Sequence, residues 1–151
     1  MINSICFVCH GNICRSPMAE FLFRDMLREK GIEDMFIVES RATSTEEIGN
    51  PPHRGTVRKL AEFGIVPRGK TAVQLKRSDY EKYDLIIGMD DANMRNILRI
   101  TGGDKDGKVR KMMTFAGSDR SVADPWYTDD FDATYRDISE GLDGLMRYLG
   151  V

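Results

Sequence analysis

Cys9 and Arg15, a cysteine and an arginine with five residues between them, are the residues of this sequence best suited to chemistry. Arginine can hold a phosphate group through two parallel hydrogen bonds, a geometry that lysine cannot provide. The thiolate form of cysteine is a strong nucleophile, and helix N-termini and neighbouring cations favour that form. The pair therefore predicts attack by sulfur on a phosphate group that the arginine holds in place.

The chain around this pair is predicted to form a strand, a tight loop and the start of a helix. A continuous apolar run at residues 5–8 indicates a strand, roughly Ser4 to Val8, in a parallel sheet that is covered on both faces. Pro17 suits the first helical position and Ser16 suits the N-cap, so we expect a helix from Pro17 to about Lys30. Unpaired backbone N–H groups and the helix dipole make such a junction an anion site.

Individual loop residues fit this interpretation. Gly11 permits tight curvature, and Asn12 tolerates a left-handed conformation while its amide braces the loop. The hydroxyl of Ser16 is expected to donate a hydrogen bond to the Cys9 thiolate. We expect phosphate oxygens to be bound by the backbone N–H groups of His10, Gly11, Asn12, Ile13, Cys14 and Arg15.

Length and composition restrict the classes of protein to consider. A chain of 151 residues is long enough for one domain with a proper core, and 41% hydrophobic with 30% charged residues indicates a globular protein. The net charge of −2 disfavours nucleic-acid binding, and no apolar stretch approaches the length of a membrane span. Three cysteines argue against a secreted disulfide framework, and the N-terminus does not resemble a signal peptide, so we expect a cytoplasmic location.

Apolar runs alternate with helical patterns, which predicts an α/β fold: one domain with an open, doubly wound, four-stranded parallel sheet and helices on both faces. The further strands are predicted at residues 36–38, 85–89 and 109–115. A polar loop is expected at 41–50, then a helix with Val57, Leu60 and Ala61 facing the core, another at 93–98, and a long C-terminal helix. Such sheets bind ligands beyond the carboxyl ends of their strands, so the loop after the last strand, which holds Asp124, should reach the cysteine loop.

The cysteine loop and the segment Asp124-Pro125-Trp126-Tyr127 together resemble the motifs of the low-molecular-weight protein tyrosine phosphatases, and their order and spacing match along nearly the whole chain. The resemblance implies that Cys9 is the nucleophile and that Asp124 is a general acid, worth about 10²–10⁴ in rate. It also implies that Trp126 and Tyr127 line the pocket rim and that Ser40 supports the phosphate loop. No metal or other cofactor is implied. The expected partners are phosphotyrosine-containing proteins, among them a tyrosine kinase, and the expected state is a monomer or a weakly self-associating chain.

Four further positions follow from the same resemblance. Cys14, as in many relatives, is expected to form a reversible disulfide with Cys9 after oxidation, although a structural thiol stays open as an alternative. Glu46 stands where many members carry a bulky aromatic residue, and Lys70 where many carry a histidine, which leaves the shape of the substrate undefined. Asp90 matches a recurrent pattern and is expected to cap the next helix.

Other cysteine chemistries fit the sequence less well. Residues 6–10 match a haem c attachment pattern, but Phe7 and Val8 have the character of strand residues. A zinc site would need Cys6, Cys9, His10 and Cys14, all within nine residues, whereas structural zinc sites usually take a second ligand pair from a distant segment. A thioredoxin-like site is disfavoured because Cys9, and not Cys6, is the cysteine nearest the helix.

Three alternatives share the fold or the loop. Arsenate reductases of this fold need further cysteines later in the chain, and this sequence has none after Cys14. Protein arginine phosphatases usually carry a small hydroxylated residue at the position of Ile13, whose branched side chain favours a flat phenyl phosphate. A phosphotyrosine-binding module without activity is disfavoured because Cys9, Arg15 and Asp124 are all intact.

Overall fold

The computed structural model describes residues 1–151, and its centre is a sheet of four parallel strands. The strands are β1 (Ser4–Cys9), β2 (Ile37–Ala42), β3 (Leu85–Gly88) and β4 (Val109–Lys111), in the order β2-β1-β3-β4. Ile5 of β1 lies opposite Val38 on one side and Leu85 on the other. The strand order reverses at β1, so the ligand-binding position of a doubly wound sheet falls at the carboxyl end of that strand. The predicted fold class is confirmed.

Six helices surround the sheet: α1 (Arg15–Glu29), α2 (Arg54–Ala61), α3 (Asp79–Lys82), α4 (Asp91–Thr101), α5 (Pro125–Thr128) and α6 (Phe131–Leu149). Successive side chains of β1 point to opposite faces of the sheet, and both faces are buried. Ile5 and Phe7 join the larger apolar cluster with residues of α1 and α6, whereas Cys6 and Val8 join a smaller cluster with residues of α4. None of the helices combines the length and apolarity needed to cross a lipid bilayer.

The last strand is shorter than the sequence predicts. We expected a strand over residues 109–115, but it ends at Lys111 and the chain continues as a 3₁₀ helix, Met112–Ala116. Met112 and Met113 are both fully buried in the larger apolar cluster. A strand would point these neighbours to opposite faces, whereas one helical turn lets both side chains enter the same core.

The 3₁₀ helix packs closely under α6. A Cβ atom at Gly144 would lie 2.0 Å from the carbonyl oxygen of Phe115, so only glycine allows this approach. As predicted, the C-terminal helix buries an apolar stripe; the stripe contains Ile138, Leu142, Leu145 and Met146.

Two other predictions are wrong in detail. The polar loop expected from residue 41 begins later, because β2 continues to Ala42, which is fully buried and pairs with Cys9. In α2, Leu60 is buried as predicted, but Val57 and Ala61 are exposed. The buried face of α2 instead includes Thr56, whose hydroxyl donates a hydrogen bond to the carbonyl of Cys14.

Candidate active site

The loop that joins β1 to α1 turns its carbonyl groups outward. The carbonyl of His10 accepts a hydrogen bond from Ser44 N (3.0 Å), that of Ile13 from His53 N (2.8 Å), and that of Cys14 from the hydroxyl of Thr56. The backbone N–H groups from His10 to Arg15 have no acceptor within the protein. Because C=O and N–H point in opposite directions across a trans peptide bond, these N–H groups converge on the concave side of the loop. The loop is therefore built to bind an anion.

Asn12 gives the loop its turn and its internal support. It has a positive φ of 58°, the left-handed conformation that the sequence predicts for this residue. Its side chain is fully buried, and its Oδ1 accepts a hydrogen bond from Val73 N at 3.1 Å. Its Nδ2 donates to the hydroxyls of Ser16 (2.7 Å) and Ser40 (2.9 Å). One amide thus connects the loop with α1, β2 and the segment at residue 73.

Ser16 does not cap the helix as predicted. α1 begins one residue earlier, at Arg15, and Cys14 occupies the N-cap position without a side-chain hydrogen bond. The hydroxyl oxygen of Ser16 lies 3.0 Å from the Cys9 sulfur. Because Asn12 already donates to this oxygen, the Ser16 proton is left to point at the sulfur. This is the contact that the sequence suggested, and it takes the place of the cap.

Ser40 links the loop to a buried carboxylate. Its hydroxyl accepts from Asn12 and donates to Glu20 Oε1 at 2.6 Å. The Glu20 side chain is 3% exposed and forms ion pairs with Arg24 (2.8 Å) and Lys70 (3.5 Å). Burial lowers the pKa of Lys70, and its ammonium group also donates to the carbonyl of Ser40. Lys70 therefore places its ammonium group behind the phosphate loop.

Arg15 is almost completely buried and is fixed from two sides. Its guanidinium donates to the carbonyl of Val122 (3.2 Å) and to Asp90 Oδ2 (2.9 Å). Burial opposes the positive charge, but the neighbouring Cys9, Asp124 and Asp90 outweigh burial and raise the pKa of Arg15. The guanidinium is therefore held charged beside the Cys9 loop.

Asp90 has a second contact that the sequence did not reveal. As predicted, it caps α4, because its Oδ1 accepts a hydrogen bond from Asn93 N at 2.7 Å. Its Oδ2 accepts from Arg15 at the same time. The position of Asp90 directly after β3, the neighbour of β1, was the available signal. A capping aspartate at that edge of the sheet is close enough to reach the residues that follow β1.

Asp124 reaches the same edge of the sheet, as the parallel topology predicts. It is the N-cap of α5, and its Oδ1 accepts a hydrogen bond from Trp126 N at 3.1 Å. Its Oδ2 lies 3.3 Å from a terminal nitrogen of Arg15. The carboxylate is partly open to solvent, with 28% of its side chain exposed. A carboxylate thus stands at the mouth of the anion site.

A cleft of about 420 Å³ opens above the sulfur. Trp126 and Tyr127 form an aromatic wall, and both rings are largely exposed. Glu46 lines another part of the cleft and pairs with the imidazole of His10. The predicted site residues that line the cleft are Cys9, His10, Gly11, Ile13, Cys14, Arg15, Asp124, Trp126 and Tyr127, while Asn12, Ser16 and Ser40 lie behind them.

The three cysteines have different surroundings. Cys6 lies on the opposite face of β1 from Cys9 and is fully buried, so the two sulfurs do not converge on a common haem or zinc site. Burial raises the pKa of Cys14 to about 12, and the charges of Cys9 and Asp124 add to this shift. Cys14 is therefore a protonated thiol at neutral pH.

Comparison with known proteins agrees with this geometry. Residues 4–150 match the family model described as low molecular weight phosphotyrosine protein phosphatase. The chain is 38% identical to the low molecular weight protein-tyrosine-phosphatase PtpA of Staphylococcus epidermidis, over 96% of this chain and 92% of that protein. It is 37% identical to the low molecular weight protein-tyrosine-phosphatase YfkJ of Bacillus subtilis, over 95% and 93%.

Solved structures give the same result. The crystal structure of YfkJ from Bacillus subtilis superposes with a TM-score of 0.94 and 36% identity, covering 99% of this chain and 96% of that one. The low molecular weight protein tyrosine phosphatase SP-PTP of Streptococcus pyogenes gives a TM-score of 0.87 and 38% identity, covering 98% and 93%. An arginine phosphatase of Drosophila, at 21% identity, shares the fold. The chain belongs to the low molecular weight phosphotyrosine protein phosphatase family.

Proposed function

We infer that this protein is a protein tyrosine phosphatase and propose that Cys9, Arg15 and Asp124 carry out the reaction. The observation that carries the proposal is the Cys9 sulfur, which lies in a loop of unpaired backbone N–H groups with the Arg15 guanidinium beside it and a carboxylate at the mouth. A dianionic phosphate monoester is complementary to such a site, because each equatorial oxygen meets a hydrogen-bond donor. The substrates are phosphoproteins, in line with the family.

In the first step, the Cys9 thiolate attacks phosphorus in line with the ester oxygen. A P–S bond forms and the P–O bond to the tyrosine breaks. The departing phenolate oxygen takes a proton from the carboxylic acid of Asp124, so that neutral tyrosine leaves. The loop N–H groups and Arg15 stabilise the three equatorial oxygens, where charge is concentrated in the transition state. Positioned charge and hydrogen bonding supply most of the acceleration.

In the second step, Asp124 acts as the base. Its carboxylate takes a proton from a water molecule whose oxygen attacks phosphorus on the side that the tyrosine left. The P–S bond breaks, and inorganic phosphate and the Cys9 thiolate are released. The Ser16 hydroxyl, 3.0 Å from the sulfur, stabilises this thiolate by donating a hydrogen bond. The same carboxylate therefore serves as acid and then as base.

The aromatic wall suits a phenyl ester. Trp126 and Tyr127 offer flat faces on which the substrate ring can stack, and Ile13 adds an apolar contact. The two related activities are less well supported. No cysteine follows Cys14 for an arsenate reductase cycle, and the named relatives at 37–38% identity are tyrosine phosphatases.

The finer assignments follow from this activity. Phosphotyrosine-containing proteins, among them a tyrosine kinase, are the proposed partners of a cytoplasmic enzyme that acts as a monomer or a weakly associating chain. Cys14 is proposed as the thiol that forms a disulfide with oxidised Cys9. The high pKa of Cys14 makes it a slow nucleophile at neutral pH. We therefore expect the disulfide with oxidised Cys9 to form more slowly than it would if Cys14 were a thiolate.

The test compares phosphotyrosine, phosphoserine and phosphoarginine peptides of otherwise identical sequence, with chelator and reductant present. We expect hydrolysis of the phosphotyrosine peptide and retention of activity in chelator. Vanadate should compete with the substrate because vanadium bound to the sulfur adopts the five-coordinate geometry of the transition state. Activity confined to phosphoarginine would overturn the substrate assignment, and loss of activity in chelator would overturn the mechanism.

A further inference from the structure

The cleft above the sulfur has two unlike walls. Trp126 and Tyr127 form the aromatic wall, while Glu46, Glu47 and His10 form a charged wall. An aromatic ring bound through its phosphate would lie in the cleft, and the residues on either side of that tyrosine would meet the cleft mouth. The chemistry of the charged wall therefore bears on which protein sequences are accepted.

Glu46 is tied to the phosphate loop by its backbone and by its side chain. The neighbouring Ser44 binds the carbonyl of His10 twice, through its N–H at 3.0 Å and its hydroxyl at 2.9 Å. The hydroxyl oxygen of Ser44 then accepts a hydrogen bond from Glu46 N. The Glu46 carboxylate pairs with the His10 imidazole. These contacts hold the Glu46 carboxylate beside His10, the residue that directly follows Cys9.

Two glutamates line this wall, and Glu46 is the more open to a substrate, because Glu47 is half-buried and accepts a hydrogen bond from the Asn50 amide. Inside the cleft, the carboxylates of Asp90 and Asp124 are both engaged with Arg15. The side chain of Glu46 is 67% exposed at the mouth. The wall contributed by α4 is formed by neutral side chains, Ala92, Asn93 and Asn96. A charged residue beside the phosphotyrosine would therefore meet the exposed carboxylate of Glu46 at this rim.

We propose that Glu46 is a specificity-determining residue, which makes the enzyme favour phosphotyrosines flanked by lysine or arginine and disfavour those flanked by aspartate or glutamate. This proposal rests on the proposed function. Electrostatic complementarity at a solvent-exposed rim acts mainly on association and therefore on kcat/KM. At the dielectric constant of water and a separation of about 10 Å, each flanking charge is worth about a twofold change in kcat/KM.

The test uses three phosphotyrosine peptides of equal length, with two lysines, two glutamines or two glutamates beside the phosphotyrosine. We expect the wild-type enzyme to show roughly a tenfold higher kcat/KM for the lysine peptide than for the glutamate peptide. Raising the ionic strength from about 0.1 to 1 M shortens the Debye length from about 10 to 3 Å and should reduce this ratio towards one.

Substitutions of Glu46 test whether this residue causes the preference for the lysine peptide. Glu46→Gln should remove most of the lysine-to-glutamate ratio, and Glu46→Lys should invert it. Glu81→Gln is the matched control, because it removes the same charge from a glutamate outside the cleft that pairs with Lys105. Its ratio should equal that of the wild type. Each ratio is measured within one variant, so a change in overall activity does not obscure the result.

Two results would overturn the proposal: a wild-type ratio close to one, or a wild-type preference that Glu46→Gln leaves intact. Hydrolysis of the glutamine peptide separates this proposal from the proposed function. If the wild-type enzyme hydrolyses none of the three peptides, the tyrosine phosphatase assignment fails. If it hydrolyses all three equally well, the assignment stands and the role of Glu46 is refuted.

Discussion

The backbone polar groups at the two ends of the parallel sheet are treated in opposite ways. At the amino ends of the strands, Asp84 accepts hydrogen bonds from the backbone N–H groups of Asn3 and Ser4 at 2.9 and 3.1 Å. The Lys108 ammonium donates there to the carbonyls of Tyr80 and Tyr83. At the carboxyl ends, the N–H groups after Cys9 have no acceptor. At the amino ends the polar groups are hydrogen-bonded within the protein, whereas at the carboxyl ends the N–H donors are free to bind a ligand.

This difference separates stability from reactivity. Satisfied backbone groups contribute to folding, because a buried donor without a partner costs free energy. The N–H groups of the phosphate loop forgo that contribution, and the network around Asn12 holds the loop in place. Substitutions of the ligand-facing residues at the carboxyl end should therefore change activity far more than stability, and substitutions at the amino end should change stability and spare activity.

Cys9→Ser should have the largest effect. The hydroxyl of serine is much less easily ionised than a thiol, so we expect no measurable turnover of p-nitrophenyl phosphate. The loop N–H groups and Arg15 remain, so the variant should still bind inorganic phosphate in a calorimetric titration. Residual turnover above about one part in a thousand of the wild-type rate would mean that the sulfur is not the nucleophile.

Asp124→Ala should lower kcat by about 10²–10⁴ with phenyl phosphate, because the leaving phenolate then departs without a proton. The loss should be smaller with p-nitrophenyl phosphate, whose leaving group is stable as an anion. Steady-state kinetics with both esters measure this contrast. Equal losses on the two substrates would remove Asp124 from the step in which the ester bond breaks.

Ser40→Ala should have an intermediate effect on both properties. The substitution removes the hydroxyl that accepts a hydrogen bond from Asn12 and donates one to Glu20, and both of these partners are buried. We expect a loss of about 1–3 kcal/mol in the free energy of unfolding, measured with urea, together with a lower kcat. A normal kcat at reduced stability would show that Asn12 holds the loop without help from Ser40.

Asp84→Asn should have the smallest effect and should spare activity. Hydrogen bonds from the backbone of Asn3 and Ser4 lower the pKa of Asp84 below its usual value in the folded protein. The carboxylate therefore contributes stability above about pH 4, and this contribution is lost as the pH falls through the folded-state pKa. The variant should be less stable than the wild type by about 1 kcal/mol at pH 7, and the difference should shrink as the pH falls below about 4.

Urea unfolding at several pH values, with p-nitrophenyl phosphate assays on the same samples, tests the Asp84 prediction. A difference in stability that does not depend on pH would contradict the role given to the charge of Asp84. A large loss of activity would contradict the separation between the two ends of the sheet.

The parts of the site that follow from local rules could be predicted from the sequence. The strand, loop and helix around Cys9 depend on an apolar run and on residues with known turn preferences. The meeting of Asp124 with this loop depends on parallel topology, which places all carboxyl-terminal loops at one edge. These features need only the order of the elements and no distances.

The remaining features depend on where side chains meet in space. Asp90 was predicted to cap α4, but its contact with Arg15 requires the two side chains to meet across neighbouring strands. Pairing of Glu46 with His10 depends on how the loop after β2 folds over the phosphate loop. The early end of β4 is decided by the space beneath α6, which a pattern of apolar residues does not reveal. In each case tertiary contacts outweigh local preference.

The shortness of β4 has a consequence for behaviour at high concentration. β4 and β2 are the outer strands of the sheet, and an outer strand with free backbone groups can recruit a strand of another molecule and start aggregation. β4 offers only three residues, with Arg110 and Lys111 among them, before the chain bends away. The far end of β2 is covered by a bridge from Gln74 to Ala42. Concentrated solutions of the folded protein should therefore resist growth of intermolecular sheets from the β4 side.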